Sequence, residues 1–193
     1  MATATKSALP LGLVLALGFA PPVLATPDLC VLAPLVSPIG TGARDLPLAL
    51  VPLRRPTLFL RESLAELRLE EGDTLRWRAS TRPDAPLEGP LAWPLDPLTP
   101  GQRLTLRLRP LGAGPNQFAS LLLQAGPQER LTAGDNLLRS LLAGPPTAWR
   151  PAIEGLLAKG DRALATALLF ASEGPSEPDL NALRLQAAHT SCP

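Results

Sequence analysis

The sequence predicts an α+β protein in which an antiparallel β-sandwich precedes a small C-terminal α-helical subdomain. Polar and apolar residues alternate with a period of two through residues 48–125, as they do in half-buried strands. Beyond Gly126 the leucines recur instead at the spacing of amphipathic helices. The 193 residues are 46% hydrophobic and 18% charged, which provides enough apolar surface for a core and excludes a wholly disordered chain.

Residues 1–25 are typical of a secretory signal peptide. Lys6 supplies a positive charge, residues 8–20 form a short apolar run, and Val23-Leu24-Ala25 offers small residues before a cleavage point. We therefore expect the protein to be exported and to be secreted or periplasmic. After cleavage we expect no membrane-spanning segment.

Two alternatives to a cleaved signal remain open. A transmembrane anchor needs about 20 apolar residues, and Pro21-Pro22 ends this run before that length is reached. Lipid attachment at Cys30 is the second alternative, but residues 26–28 place a proline and an acid where such signals carry small residues. Export of a cleaved, unlipidated chain therefore fits the sequence better than either alternative.

Residues 26–47 are rich in proline and glycine and are predicted to form an extended arm. Cys30 lies in this arm, and Cys192, the other of the two cysteines, lies one residue from the end of the chain. Because exported proteins meet oxidising conditions, we predict a disulfide bond between them. Two free thiols, or bonds between molecules, are the alternatives.

Residues 48–125 contain the predicted strands. Strict alternation marks three of them, at 57–61, 66–70 and 74–80. Glu71-Gly72-Asp73 is a turn sequence, so the last two of these strands form a predicted hairpin. The predicted core face of the hairpin carries Leu67, Leu69, Leu75, Trp77 and Ala79.

The second half of this region predicts three further strands. Residues 81–90 hold three prolines and are predicted to be a connection, after which residues 91–95 form an edge strand. The clearest strand covers 103–109, and the last covers about 118–124. Short strands at this spacing favour an antiparallel sandwich over residues 48–125.

One run in this region resembles a known family. Its residues have the two-residue spacing of the sequence that enters the sixth strand of fibronectin type III domains: Leu98, Pro100, Gln102, Leu104, Leu106 and Leu108. Trp77 falls where those domains carry their core tryptophan, although Leu104 replaces their corner tyrosine. The resemblance implies an immunoglobulin-like sandwich. The layout of the whole chain is also similar to that of uncharacterised secreted bacterial proteins, a resemblance that implies no activity.

Residues 126–193 are predicted to form a subdomain of four helices. Asp135 is the expected cap of the first helix, and the second carries an apolar stripe over residues 149–157. Asp161 caps the third helix, and Ser176-x-x-Asp179 opens the fourth. The second and third helices resemble one tetratricopeptide unit. Because no second copy is present, we expect them to pack on their neighbours, with a solenoid as the alternative.

Few residues are suited to catalysis or to metal binding. His189 is the single histidine, and the hydroxyls beside it in the sequence do not have the geometry of a catalytic triad. One histidine and two cysteines exclude a zinc site, and we expect no cofactor. Glu70, Glu71 and Asp73 are a candidate calcium site, but their spacing is not that of an EF-hand. The alternative interpretation is a solvated turn.

The arginines are the most informative surface feature. If strands 74–80 and 103–109 are neighbours, four arginines share one outer face: Arg76, Arg78, Arg107 and Arg109. Adjacent like charges are unfavourable unless an anion offsets them. This face is therefore a candidate site for a protein surface or an acidic glycan, and the alternative is a solvated face neutralised by nearby glutamates.

The charge balance argues against nucleic acid and anionic membranes as partners. Removing Lys6 with the signal leaves 17 of the 18 basic residues against 17 acidic ones, so no net field attracts nucleic acid or an anionic membrane. The function we expect is a non-catalytic binding or scaffolding module of the cell envelope or the extracellular space. The alternatives are a glycan-acting enzyme that uses two carboxylates and an accessory subunit that docks through its C-terminal helices.

Overall fold

A computed structural model of the chain describes residues 30–37, 46–82 and 87–191, which contain eight strands and four α-helices. The strands are β1 (Val31–Ala33), β2 (Val36–Ser37), β3 (Leu48–Val51), β4 (Leu58–Glu71), β5 (Thr74–Ser80), β6 (Leu87–Leu91), β7 (Arg103–Pro110) and β8 (Ala119–Ala125). The helices are α1 (Gln128–Ala143), α2 (Trp149–Ala158), α3 (Arg162–Leu169) and α4 (Pro178–Ser191). The predicted signal peptide lies outside the described residues.

β4 is the longest strand and organises the sheet. β1 and β6 pair with its first half, whereas β5 and β7 pair with its second half. From β7 the sheet continues through β8 and β3 to β2. The strands predicted at 57–61 and 66–70 are therefore parts of one continuous strand of 14 residues.

All eight strands belong to a single mixed sheet that curls into a half-barrel, in place of the predicted antiparallel sandwich. β3 runs parallel to β8, with Leu48 opposite Leu122 and Val51 opposite Ala125. The alternation of leucines shows which side chains face a core. It does not show whether the opposite wall of that core is a second sheet or the same sheet after curling. The α+β class is confirmed, since all four helices follow the strands.

A bulge in β4 decides which of its side chains face the core. Leu60 and Leu67 are both buried, yet an odd number of steps separates them, so regular alternation would place them on opposite faces. The pairing of β4 with β7 shifts between Leu64 and Glu66. One extra residue at this bulge restores the inward direction of the later leucines.

A second irregularity affects the predicted hairpin. The pairing of β4 with β5 shifts between Leu69 and Glu70, so that Trp77 lies opposite Leu69 while Leu75 lies opposite Glu70. Trp77 packs against the core, but Leu75 is 51% exposed. The prediction that Leu75 faces the core is wrong, because the extra residue in β5 reverses the alternation there.

β6 shows how an edge strand accommodates proline. The sequence predicted a connection through residue 90 and an edge strand at 91–95, whereas β6 itself contains Pro90. Within the described residues β6 pairs with β4 alone, so the missing N–H of Pro90 can face the unpaired side. The structure therefore moves the predicted edge strand about four residues toward the N-terminus.

The helices pack on one another and on the first strands. Trp149, Ile153 and Leu168 belong to a buried cluster that also includes Leu32 of β1, and Phe170 contacts Phe59 of β4 with ring centroids 4.7 Å apart. Among the described helices, none has the length and apolar character needed to cross a membrane. The helical part and the sheet thus share buried contacts.

The two predicted helix caps have different outcomes. Asp161 is confirmed as the cap of α3, since its Oδ1 accepts a hydrogen bond from the Leu164 N–H at 3.2 Å. Asp135 does not cap α1, because that helix begins at Gln128. Instead, Asp135 accepts a hydrogen bond from the Arg54 N–H at 3.1 Å and forms an ion pair with its side chain.

Candidate functional site

The outer face of the sheet carries a row of arginines across three strands. Arg78 of β5 lies opposite Arg68 of β4, and Arg68 lies opposite Arg107 of β7. Beside this row, Glu66 lies opposite Arg109. Neighbouring strands are about 4.8 Å apart, so these side chains form one group. We call Arg68, Arg78, Arg107, Arg109 and Glu66 the arginine cluster.

Three of the four predicted arginines belong to this cluster. The sequence predicted that β5 and β7 are neighbours, and this prediction is wrong. β4 lies between them and contributes Arg68 and Glu66. Arg76 is the exception. It forms an ion pair with Glu71 at the end of the β4–β5 hairpin, so we exclude it from the cluster.

Glu66 is the buried centre of the cluster, with 2% of its surface exposed. Its Oε1 accepts a hydrogen bond from Arg68 Nε at 2.7 Å and lies 2.6 Å from Arg78 Nε. Its Oε2 accepts a hydrogen bond from Arg109 Nη2 at 3.1 Å. This one carboxylate therefore holds three guanidinium groups in place.

Burial raises the pKa of Glu66, but the surrounding arginines have the larger combined effect. Hydrogen bonds from Arg68 and Arg109, together with the charges of Arg68 and Arg78, lower the pKa of this carboxyl below its ordinary value of 4.5. Glu66 is consequently ionised at neutral pH. The ionised carboxylate attracts the three guanidinium groups and thereby orients them.

Phe118, immediately before β8, packs beside the same arginines. The guanidinium carbons of Arg68, Arg107 and Arg109 lie 4.5, 5.2 and 6.0 Å from the centre of its ring. These distances are those of cation–π contacts, which favour a cation over the ring face. Phe118 and Glu66 therefore restrict long side chains that would otherwise sample many conformations.

Positive charge exceeds negative charge on this face. Arg107 Nη1 lies 3.6 Å from Glu70 Oε1, which is an ion pair but longer than a hydrogen bond. The Nε atoms of Arg107 and Arg109 are buried without a hydrogen-bond partner among the described residues. Among the residues that the structure describes, these four guanidinium groups pair with only two carboxylates, those of Glu66 and Glu70, which leaves an excess of two positive charges.

Glu70 and Glu71 of the candidate calcium site form ion pairs with arginines. Glu71 pairs with Arg76 and accepts a hydrogen bond from Gln102 at 2.9 Å, and Asp73 is exposed in the turn. In the described ranges, no group of three or more His, Cys, Asp or Glu residues is arranged to hold a metal ion. His189 is exposed near the end of α4.

The predicted disulfide bond involves one described cysteine. Cys30 is half-buried directly before β1, and its N–H donates a hydrogen bond to Glu62 Oε2 at 3.0 Å. Cys192 lies outside the described residues. The bond between the two cysteines therefore stays a prediction.

Sequence reasoning missed Glu66, Arg68 and Phe118 as members of the site. The alternation that marked Leu67 and Leu69 as buried also placed Glu66 and Arg68 on the outer face. What was lacking was the strand order, which puts β4 between the two arginine-bearing strands.

No family model, curated protein or solved structure matches this chain. The resemblance to fibronectin type III domains accordingly stays a prediction.

Proposed function

We propose that the protein is an exported, non-catalytic binding module whose arginine cluster binds an anionic group on a protein or an acidic glycan. The pattern of residues 1–25 supports export. The observation that supports binding is the excess of two positive charges among side chains that are already held in place.

Without a partner, the arginine cluster is electrostatically unfavourable. Four guanidinium groups within a few ångströms repel one another, and two carboxylates offset only part of that repulsion. An incoming carboxylate, sulfate or phosphate group removes the remaining repulsion and accepts charge-assisted hydrogen bonds. Binding of an anion is therefore favoured by the charge distribution of this face.

The side chains of the arginine cluster are also ordered before a partner binds. An arginine side chain loses about 2 kcal/mol of rotamer entropy when it is fixed, and this loss normally opposes binding at a flexible surface. Here the carboxylate of Glu66 and the ring of Phe118 already restrict the arginines. Binding of a partner therefore costs less side-chain entropy at this face than at a flexible one.

The test is retention on immobilised polyglutamate and on immobilised heparin, measured with a salt gradient. The double variant Arg68→Gln/Arg107→Gln removes two positive charges from the cluster while leaving Arg78 and Arg109 beside Glu66. We expect it to elute at lower salt and to bind soluble polyglutamate or heparin at least about tenfold more weakly, since the loss of even one charge-assisted hydrogen bond costs about 1.5–3 kcal/mol.

The matched control is Arg139→Gln/Arg150→Gln, which removes the same charge from exposed helical positions. If both double variants lose retention equally, only the net charge matters and the proposed site is wrong. Circular dichroism and urea unfolding of both variants establish that they are folded under the binding conditions.

A further inference from the structure

A patch of leucines lies on the same outer face as the arginine cluster. Alternation along β3 directs Leu48 and Leu50 away from the core, whereas Ala49 and Val51 are buried. Leu122 of β8 lies opposite Leu48 and shares this direction. Leu50 is 46% exposed, and Leu48 and Leu122 are half-buried, so the three side chains form one partly exposed apolar patch. We call Leu48, Leu50 and Leu122 the leucine patch.

The sheet register brings the patch next to the cluster. Arg107 lies opposite Ser120 of β8, and Leu122 follows Ser120 by two residues on the same face. Arg107 and Leu122 are therefore diagonal neighbours across β7 and β8, a relation that separates Cα atoms by about 7–8 Å. Charged and apolar surfaces are thus continuous, with the small polar residues Thr105 and Ser120 between them.

We propose that the partner of this face is a protein segment that carries acidic and apolar side chains in neighbouring positions. The inference rests on the function proposed above and adds the chemical class of the partner. Carboxylates of the segment would contact Arg68 and Arg107, while its apolar side chains would cover Leu50 and Leu122.

The leucine patch favours a protein segment over an acidic glycan. A sugar polymer presents hydroxyl groups that need hydrogen-bond partners, and leucine side chains supply none. Contact with a glycan would therefore remove its hydroxyl groups from water without giving them new hydrogen-bond partners. An apolar side chain of a protein segment instead removes the leucine surface from water at a gain of about 25 cal/mol per Å².

The charge of the face also favours a protein segment over an anionic membrane. Attraction to an anionic leaflet contributes about 1 kcal/mol per basic residue near the surface. Two uncompensated charges therefore provide only about 2 kcal/mol, and the carboxylates of Glu66 and Glu70 lie among them. A short acidic segment can instead form charge-assisted hydrogen bonds with individual guanidinium groups.

The test uses two synthetic peptides of ten residues and equal charge. One alternates Glu with Leu, and the other alternates Glu with Ser. We expect the wild-type protein to bind the Glu/Leu peptide about tenfold more tightly, because one leucine contact gains about 1.5 kcal/mol. Titration calorimetry or fluorescence anisotropy measures both affinities.

Variants at exposed leucines locate the contact. Leu50→Ser is expected to remove most of the preference for the Glu/Leu peptide. Leu142→Ser, at a position 48% exposed on α1, should leave that preference unchanged. Both positions are largely solvated, so neither substitution opens a cavity in the core.

The outcomes separate the two proposals. Equal binding of both peptides, or a preference that survives Leu50→Ser, overturns the inference of a protein segment but leaves anion binding by the cluster intact. The same holds if a heparin fragment or phosphatidylserine vesicles bind more tightly than either peptide. If neither peptide nor heparin responds to Arg68→Gln/Arg107→Gln, the proposed anion-binding function itself fails.

Discussion

Glu66 is a buried carboxylate on the outer side of a sheet, where charged residues are ordinarily solvated. Its three guanidinium contacts offset the cost of removing its charge from water. A network of this kind contributes little net stability as a whole, yet removing one of its members strongly destabilises the protein. The Glu66 carboxylate is therefore an internal anion that already binds three arginines of this surface.

Replacing Glu66 with Gln is expected to lower the free energy of unfolding by about 3 kcal/mol at pH 7, because three neighbouring guanidinium groups lose the buried carboxylate that offsets their charges. The control is Glu70→Gln, which removes a carboxylate that lies 3.6 Å from a single arginine. It should cost about 1 kcal/mol or less. Urea unfolding of both variants measures the difference, and equal losses would show that Glu66 is not the centre of the network.

The stabilisation that Glu66 provides depends on pH. Because folding lowers the pKa of Glu66, its stabilisation is complete above the ordinary value of 4.5 and is lost as the pH falls through the lowered pKa. The wild-type protein should therefore lose stability below pH 4.5. Glu66→Gln should lose less over that range, although Asp161, whose pKa is lowered by the hydrogen bond from Arg130, contributes a similar slope to every variant.

At the scale of elements, the contact between α1 and the segment after β3 depends on one glycine. A Cβ atom at Gly134 would lie 2.3 Å from the carbonyl oxygen of Pro52 and 3.1 Å from Leu53 Cδ2. Because the backbone carbonyl cannot move aside as a flexible side chain can, any larger residue must displace the helix. The ion pair of Asp135 with Arg54 fixes the same contact from the next position along α1.

Gly134→Ala is therefore expected to destabilise the protein by about 2 kcal/mol or more, despite the better helix propensity of alanine. Gly155→Ala is the matched control. Gly155 is also a helical glycine, in α2, but nothing lies within 4 Å of its Cβ position. That variant should gain about 0.5–1 kcal/mol. Thermal unfolding compares the two, and a stabilised Gly134→Ala protein would contradict the close approach.

Elements were predictable where the pattern is local. The alternation of β7 and the cap of α3 by Asp161 follow from neighbouring residues, and both are present. Leu75 was placed incorrectly because a bulge is a property of two paired strands, and the sequence of β5 alone shows no break in its alternation. Asp135 was taken for a cap because its long-range partner, Arg54, is distant in the sequence.

The same distinction applies to the candidate site. The outward direction of Arg78, Arg107 and Arg109 followed from alternation, so part of the cluster was predictable. Its organisation around Glu66 was not, because that depends on which strand lies between β5 and β7. Phe118 was counted as a strand residue, and its contact with Arg107 requires the path of the preceding loop.

At the scale of the whole molecule, polar contacts connect the helices to the sheet region and to one another. The Ser172 N–H donates a hydrogen bond to Thr57 Oγ1 at 2.9 Å, and Thr57 is buried beside the start of β4. Arg130 of α1 forms two hydrogen bonds with the Asp161 carboxylate that caps α3. The predicted Cys30–Cys192 bond would add a covalent connection between the residue before β1 and the residue after α4.

This bond is expected to leave no free thiol in the denatured, unreduced protein. In the chain-entropy model a loop of this length contributes about 4–5 kcal/mol, so reduction should lower the free energy of unfolding by a similar amount. The variant Cys30→Ser/Cys192→Ser should match the reduced wild type and should not respond to reductant. Thiol titration that finds two free thiols per chain would exclude the bond.

The parallel pairing of β3 with β8 has a consequence for the order in which the chain can fold. Leu48 meets Leu122, 74 positions later, whereas β4 with β5 and β7 with β8 are joined by short turns. Closing so long a loop costs more entropy than forming either hairpin, and non-local pairing of this kind slows folding. β3 consequently gains its second neighbour only when β8 is present, and a nascent chain that stops short of residue 125 leaves one edge of β3 with unpaired backbone N–H and C=O groups.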